Sequence, residues 1–351
     1  MTSQTIASDL PPPPNNPSGH APPRRPASAR RTSSLDMSWP DGEYGTPMRV
    51  EGRARDILTP LAGGDARLMT EDLLLSVIDS ERTIIEIAAT PPRPGIEGLV
   101  GVRGGGYLRQ ALADVLPGER RAGTPLSLLI DDLSGGSLVA GWAWSQWRDD
   151  WLPREYASGD KEEARRMRHE RMHSICIGFR PGSSALDDLY GKYQNSTPVP
   201  GLANPQDPQG WHPMPEYATP SLRRARRIDV WRDHFKDEPT RGGLIHIDAM
   251  FQDSATTPHG GRTAIHEYCV RATADPQTLT LTSLVADPRT LPYPECPSAV
   301  GNVGRLVGTP LADLRHEVLD KLRRVDGCTH LNDVLRALAE VPVLVGYLDQ
   351  A

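Results

Sequence analysis

The chain has 351 residues, a formal net charge of -6 and 38% hydrophobic residues, a composition typical of globular proteins with about two domains. No lysine- or arginine-rich face dominates, so we expect no nucleic-acid partner. The N-terminus is polar and rich in proline, and no apolar run approaches the roughly 18 residues that cross a bilayer. The sequence therefore predicts a soluble, cytoplasmic protein without a membrane partner.

Residues 1–45 predict a disordered tail. They include four prolines at 11–14 and the basic pairs Arg24-Arg25 and Arg30-Arg31, separated by serines and further prolines. Because so few apolar residues accompany them, a packed core cannot offset the entropy cost of ordering this stretch.

Residues 46–190 predict a first α+β unit with an extension. Alternating hydrophobicity indicates strands near 48–54, 73–78 and 83–88, and helical spacing begins near Tyr107 and Leu126. The extension predicts a charged helix at 161–173 and a strand at 175–179. It also carries four tryptophans that pack as a cluster or line an apolar pocket: Trp142, Trp144, Trp147 and Trp151.

Residues 191–221 predict a proline-rich linker, and residues 222–351 predict a second α+β unit. Trp211 and Tyr217 suit a linker that packs across a surface. In the second unit, strands are predicted near 227–232, 244–251, 265–273 and 278–285, followed by helices at 311–322 and 331–338. Short connections between the strands favour an antiparallel sheet.

Landmarks recur in the same order in the two units. The first has Asp56, Glu71 and the triplet Leu99-Val100-Gly101, and the second has Asp253, Glu267 and the triplet Leu306-Val307-Gly308. The sequence thus predicts an α+β fold built by tandem duplication of an antiparallel sheet plus a helix pair, related by a pseudo-twofold axis.

The units differ in their chemical residues. His266 stands where the first unit has Thr70, and the segment Gly327-Cys328-Thr329-His330-Leu331 stands where it has Gly123-Thr124-Pro125-Leu126. Cys296 has no counterpart. A fold needs its glycines and apolar positions in both units, so residues found in only one are the better candidates for function. His266, Cys296, Cys328 and His330 are therefore predicted metal ligands for zinc or iron.

The same segment offers acid–base and thiol chemistry. Glu267 or Asp253 is the predicted general base beside a metal. Without a metal, Cys328 is the predicted nucleophile, because free amides at a helix start favour thiolate, with His330 or His266 as its base. The alternative is structural: Cys296 and Cys328 fill the core, and His330 caps a helix or fills the core.

These residues favour an enzyme, a metal-assisted or thiol-dependent hydratase, hydrolase or lyase that acts on a small organic substrate. One alternative is an iron–sulfur or sulfur-handling accessory protein. Another is a ligand-binding subunit, which the tryptophans and the first unit, lacking these residues, also suit. A homodimer or a partner subunit fits each of these functions.

Two resemblances add to this picture. The segments Ile265-His266-Glu267, Pro292-Tyr293-Pro294-Glu295-Cys296 and Gly327-Cys328-Thr329-His330-Leu331 resemble an uncharacterised bacterial family of a domain of unknown function, DUF2889, over roughly residues 222–345. That resemblance implies a role beside the breakdown of aromatic or acyl compounds. The order of strands, Cys296, a helix and Cys328 also resembles the fold of the NifU-type iron–sulfur scaffold and the sulfur acceptor SufE. This second resemblance implies zinc or an iron–sulfur cluster on those cysteines.

Overall fold

A computed structural model describes residues 10–148, 151, 160–187, 198–233 and 243–351. Nine strands form one antiparallel sheet, and helices pack against it, so the predicted α+β class is confirmed. The strands are β1 Ser28–Ser38, β2 Met48–Thr59, β3 Arg67–Ile78, β4 Ile84–Thr90, β5 Pro198–Val199, β6 Ser221–Arg232, β7 Ile245–Thr256, β8 Arg262–Ala274 and β9 Leu281–Thr290.

The strand order places β1 and β6 at the centre. The path runs β4-β3-β2-β1-β6-β7-β8, and β8 pairs with both β9 and the short β5. The α-helices are α1 Gly106–Val115, α2 Pro117–Ala122, α3 Pro125–Val139, α4 Lys161–Met172, α5 Ser184–Asp187, α6 Leu314–Lys321, α7 Thr329–Ala337 and α8 Val341–Leu348. Both predicted helical regions after β4 and after β9 are confirmed.

The strand β1 corrects the predicted tail. Residues 28–38 are not disordered; every one of them is buried, between β2 on one side and β6 on the other. The composition misled the prediction because the polar side chains of β1 are matched by buried partners and do not face water. Upstream, residues 10–27 are also described, with Ala21 and Ala27 buried.

Ion pairs between strands satisfy these polar residues. At the central junction Arg30 of β1 faces Asp229 of β6 with contacts of 2.5 and 2.9 Å, and Arg223 of β6 faces Asp36 of β1 at 2.7 Å. Buried charges are tolerated when they are paired and hydrogen-bonded. These reciprocal pairs therefore tie β1 to β6.

The sheet has two differently covered faces. The side chains of Arg31 and Arg224 point to the face that carries α3, α7 and α8, where the apolar core lies. On the opposite face, the segment around Trp211 and His212 is buried against the central strands, and His212 hydrogen-bonds to Thr32 of β1. That part of the predicted linker packs across a surface.

Two further predictions have clear outcomes. The predicted strand at 175–179 is wrong, because Ile177–Phe179 is a turn of 3-10 helix. Of the four tryptophans, Trp144 and Trp151 pack edge-on against Tyr44, whereas Trp142 lies beside His266 and Trp147 donates to the carbonyl of Thr256, so the four do not form one cluster. Within the described residues, every helix is too short or too polar to span a lipid bilayer.

Candidate functional site

The end of β7, the start of β8 and the first turn of α7 bring three polar side chains together. Asp253, His266 and His330 each offer one donor atom, and these atoms all lie within 4.8 Å of one another. Asp253 and His266 are paired across the strands next to a shift in register. His330 lies in the first turn of α7, which packs on the sheet.

The two imidazoles lie face to face. The ring centroids of His266 and His330 are 3.5 Å apart, with an angle of 14° between the ring planes. The Oδ2 atom of Asp253 lies 3.5 Å from Nδ1 of His266 and 3.8 Å from Nε2 of His330. Trp142 lies beside the pair, with its ring centroid 6.1 Å from that of His266.

Burial keeps both imidazoles neutral. It lowers the pKa of His266, although Asp253 acts in the opposite sense, and it lowers the pKa of His330 well below the usual value, helped by His266. Nδ1 of His266 is buried, and it faces Oδ2 of Asp253 at 3.5 Å. A stacked, neutral pair beside one carboxylate is the result.

Asp253 is held as a carboxylate by Arg224. The guanidinium donates two hydrogen bonds to it, at 2.8 and 2.9 Å, and both side chains are fully buried. Burial opposes ionisation of Asp253, yet the charge of Arg224 outweighs it and holds the pKa of this carboxyl well below its usual range. Asp253 is therefore fixed in charge and in position.

A second carboxylate, that of Asp333 on α7, holds Arg224 from the helix side. Nη1 of Arg224 lies 3.0 Å from Oδ2 of Asp333. The contact passes over Gly135 of α3, where an added Cβ would lie 1.9 Å from that Nη1. The glycine thus leaves the space through which the arginine reaches its partner.

The predicted cysteine ligands do not join this group. Cys296 and Cys328 belong to the apolar core of the second half, and within the described residues the one group of three donors at 4.8 Å contains no cysteine. Burial raises the pKa of Cys328, although the hydroxyl of Tyr268 and the amides of Leu331 and His330 act in the opposite sense. A protonated, buried thiol is a poor nucleophile.

Glu267 lies on the opposite face of the sheet. Its carboxylate accepts a hydrogen bond from the backbone N–H of Ser18 at 2.7 Å and another from the side chain of Gln252 at 2.8 Å. It is fully buried there. The structure therefore does not bring this predicted base to His266, its neighbour in sequence.

Sequence reasoning missed Arg224 and Asp333, which position the site. The available signal was the density of arginines at 223–227 in a segment with strand character. Charged residues inside a buried strand imply paired partners. The partner of Arg224 lies 29 positions away on β7, and only the register of the strands reveals it.

Comparison with known proteins gives one match. Residues 222–344 match the family model described as a protein of unknown function (DUF2889). This span includes Arg224, Asp253, His266 and His330, and it agrees with the first resemblance noted from the sequence. Searches of curated proteins and of solved structures gave no significant match. The resemblance to NifU and SufE has no support from these comparisons.

Proposed function

We propose that the chain is a metal-assisted enzyme, a hydrolase, hydratase or lyase of a small organic substrate, in which Asp253, His266 and His330 hold one zinc or iron ion. The observation that carries the proposal is the convergence of one carboxylate and two imidazole donors within 4.8 Å. Zinc and iron accept this donor set in enzymes and keep positions open for substrate.

The residues fit such an ion in donor type and spacing. The stacked rings set one condition. Nearly parallel imidazoles cannot both aim a ring nitrogen at one point, so one ring must turn about its Cβ–Cγ bond. His330 is the better candidate, because its side chain is 14% exposed against 5% for His266.

The surrounding residues have defined tasks in this proposal. A bound divalent ion would supply Lewis-acid chemistry here. Arg224 keeps Asp253 ionised, and Asp333 keeps Arg224 in place. The depressed pKa of Asp253 suits a ligand better than the general base predicted from the sequence. The exposed edge of His330 gives a substrate its approach.

The matching strand register of the two halves supports the choice of residues. Strands β1–β4 and β6–β9 are arranged symmetrically about the central junction. Arg31 faces Asp56 in the first half as Arg224 faces Asp253 in the second. In the strand register, Thr70 faces Asp56 where His266 faces Asp253. We infer that the two halves share one ancestral unit and that the second half alone acquired the imidazoles.

The stacking favours a second candidate, an acid–base enzyme that needs no metal. Neutral imidazoles stack readily, and Asp253 lies near enough to orient His330, the more exposed ring. In this alternative His330 exchanges protons with the substrate and Asp253 stabilises its charged form.

Metal analysis tests the proposal. The full chain is incubated anaerobically with Zn²⁺ or Fe²⁺, desalted and assayed for bound metal. We expect one ion per chain in the wild type and in the control His316→Gln, whose imidazole is 85% exposed on α6, and none in His330→Gln. Failure of the wild type to retain either ion would overturn the metal proposal. If His330→Gln then still abolished hydrolysis of small esters, the acid–base alternative would stand.

A further inference from the structure

A cavity of about 360 Å³ lies between residues 18–22 and strands β6–β9. It is on the face of the sheet that carries Trp211, opposite the candidate metal site. Its floor includes Met250 of β7 and the side chains of Cys269 and Arg271, which point to the same face of β8. A cavity of this size accommodates a small organic molecule.

Hydrogen bonds hold the segment that covers the cavity. The backbone N–H of Ser18 donates to the carboxylate of Glu267 on β8 at 2.7 Å. The backbone N–H of Ala21 donates to the carbonyl of Leu202 at 2.9 Å. Because the covering segment is tethered at both points, the cavity is formed in the folded chain before any ligand binds.

The charges of the cavity wall leave one cation unmatched. Asp248 accepts a hydrogen bond from Arg227, and Oδ2 of Asp287 lies 3.3 Å from Nη1 of Arg289. The guanidinium of Arg271 is exposed and makes no hydrogen bond or ion pair with the part of the chain that the structure describes. A guanidinium presents a planar fork of N–H donors that matches a carboxylate. The group that would complete this wall is therefore an anion.

Apolar surface adjoins this cation. Val285 of β9 is directly opposite Arg271 in the strand register and is 57% exposed, and Met250 is buried in the floor. The thiol of Cys269 lies 3.5 Å from the hydroxyl of Ser18. Covering apolar surface is favourable, so the cavity suits a molecule that joins a carboxylate to a short apolar chain better than it suits an inorganic anion.

The corresponding place in the first half has no cation. Thr70 and His266 hold the same place in the strand register, and Leu75 follows Thr70 by five positions as Arg271 follows His266. Leu75 is 50% exposed. The sheet therefore does not need an arginine at this position, which makes a ligand the better explanation for Arg271.

We propose that this cavity is a second binding site, for a small organic acid with one carboxylate and a short apolar chain. The carboxylate accepts charge-assisted hydrogen bonds from Arg271, and the chain packs on Met250 and Val285. The ligand is bound without a covalent step. Because the cavity and His330 lie on opposite faces of the sheet, the proposal is independent of the metal site.

The thiol of Cys269 reports whether the cavity is filled. Cys269 is partly exposed, whereas the other three cysteines are buried. The reduced full chain is alkylated with iodoacetamide under native conditions, with and without hexanoate, and each cysteine is followed by mass spectrometry. We expect hexanoate to slow the alkylation of Cys269 with a saturable dependence on its concentration. Neutral hexanamide, which has the same chain, should have no such effect.

Variants locate the binding. Arg271→Gln should weaken the binding of hexanoate about tenfold, and Val285→Trp, which fills the cavity from its exposed side, should abolish protection. Each variant is compared with its own alkylation rate without hexanoate. The matched control is Arg67→Gln, which removes an exposed arginine from β3, and His330→Gln should also bind as the wild type does. Equal affinity in Arg271→Gln, equal protection by inorganic phosphate, or failure of hexanoate to protect the wild type would overturn the proposal.

Discussion

Arg224 and Asp253 face each other across β6 and β7, and two guanidinium nitrogens meet the two carboxylate oxygens at 2.8 and 2.9 Å. The pair lies directly beneath His266 and His330. The strand register that holds the sheet together therefore also sets the charge and position of the candidate site.

Removing this arginine should cost both stability and the site. In Arg224→Met, the fully buried Asp253 and the partly buried Asp333 lose their shared cation. Breaking one partner of a buried pair costs about 3–5 kcal/mol. We expect a loss of that size in the free energy of unfolding, measured with urea, and loss of metal binding.

The first half provides the control for that variant. Arg31 pairs with Asp56 at 2.6 Å and is equally buried. Arg31→Met should lose similar stability yet retain metal under conditions where it remains folded. Retention of metal by Arg224→Met would show that Arg224 is not needed for metal binding. Arg49→Met, which removes the exposed pair with Glu51, should change stability little.

A methyl group on Gly135 should also break the site. Its Cβ would lie 1.9 Å from Nη1 of Arg224 and 2.5 Å from Oδ2 of Asp333. Alanine favours a helix by about 1 kcal/mol over glycine, but overpacking costs about 1–3 kcal/mol and the buried ion pair is lost as well. We expect Gly135→Ala to lower the free energy of unfolding by roughly 2 kcal/mol or more. Gly118→Ala in α2 meets no atom within 4 Å, and a comparable loss there would contradict this reasoning.

Much of the architecture could be predicted from the periodic spacing of hydrophobic residues along the sequence. The alternation in β2, β3, β7 and β8 and the helical spacing in α1 and α7 are strong because each element has one apolar face. The central strands lack this signal. In β1 the polar side chains Arg30 and Asp36 are as buried as Leu35, because β6 supplies their partners from a distant part of the chain.

The site was predictable in part for the same physical reasons. His266 and His330 stand out because the segments compared with theirs, at Thr70 and at residues 123–126, contain no histidine. The inclusion of Glu267 ignored strand geometry: successive side chains point to opposite faces, so a base adjacent to His266 cannot share its face. Whether Cys296 or Cys328 contacts His266 or His330 depends on how the helices are placed on the sheet. The spacing of these residues along the sequence does not define that placement.

Acid should destabilise the protein through His212. Burial lowers the pKa of His212 well below 6.5, and its ring nitrogens bond to Thr32 and Ser34 at 2.9 and 2.8 Å. The unfolded chain therefore binds the proton first as the pH falls. The contribution of neutral His212 to the free energy of unfolding is complete above about pH 6.5. It is lost as the pH drops towards the pKa of His212 in the folded state.

The measurement is the free energy of unfolding between pH 7.5 and pH 5. Each histidine of this kind contributes up to about 1.4 kcal/mol per pH unit, and His266 and His330 add to the slope in the wild type. His212→Gln should reduce the slope by about one proton, whereas His316→Gln, which alters an exposed ring, should leave it unchanged. An unchanged slope in His212→Gln would refute the assignment.

The second half alone should not fold as a stable monomer. A fragment of residues 220–351 keeps β6–β9 and Arg224 with Asp253, but it exposes the edge of β6 along all 11 residues that β1 pairs with. Arg223 and Asp229 lose Asp36 and Arg30, and Arg226 loses Asp132 of α3, to which it donates at 2.7 and 2.6 Å. Unpaired edges and stranded buried charges favour aggregation or unfolding. We expect no cooperative thermal transition from the fragment, and recovery of one when residues 10–148 are co-expressed. A monomeric, cooperatively folded fragment would show that the central junction is dispensable and that the match at 222–344 marks an independent domain.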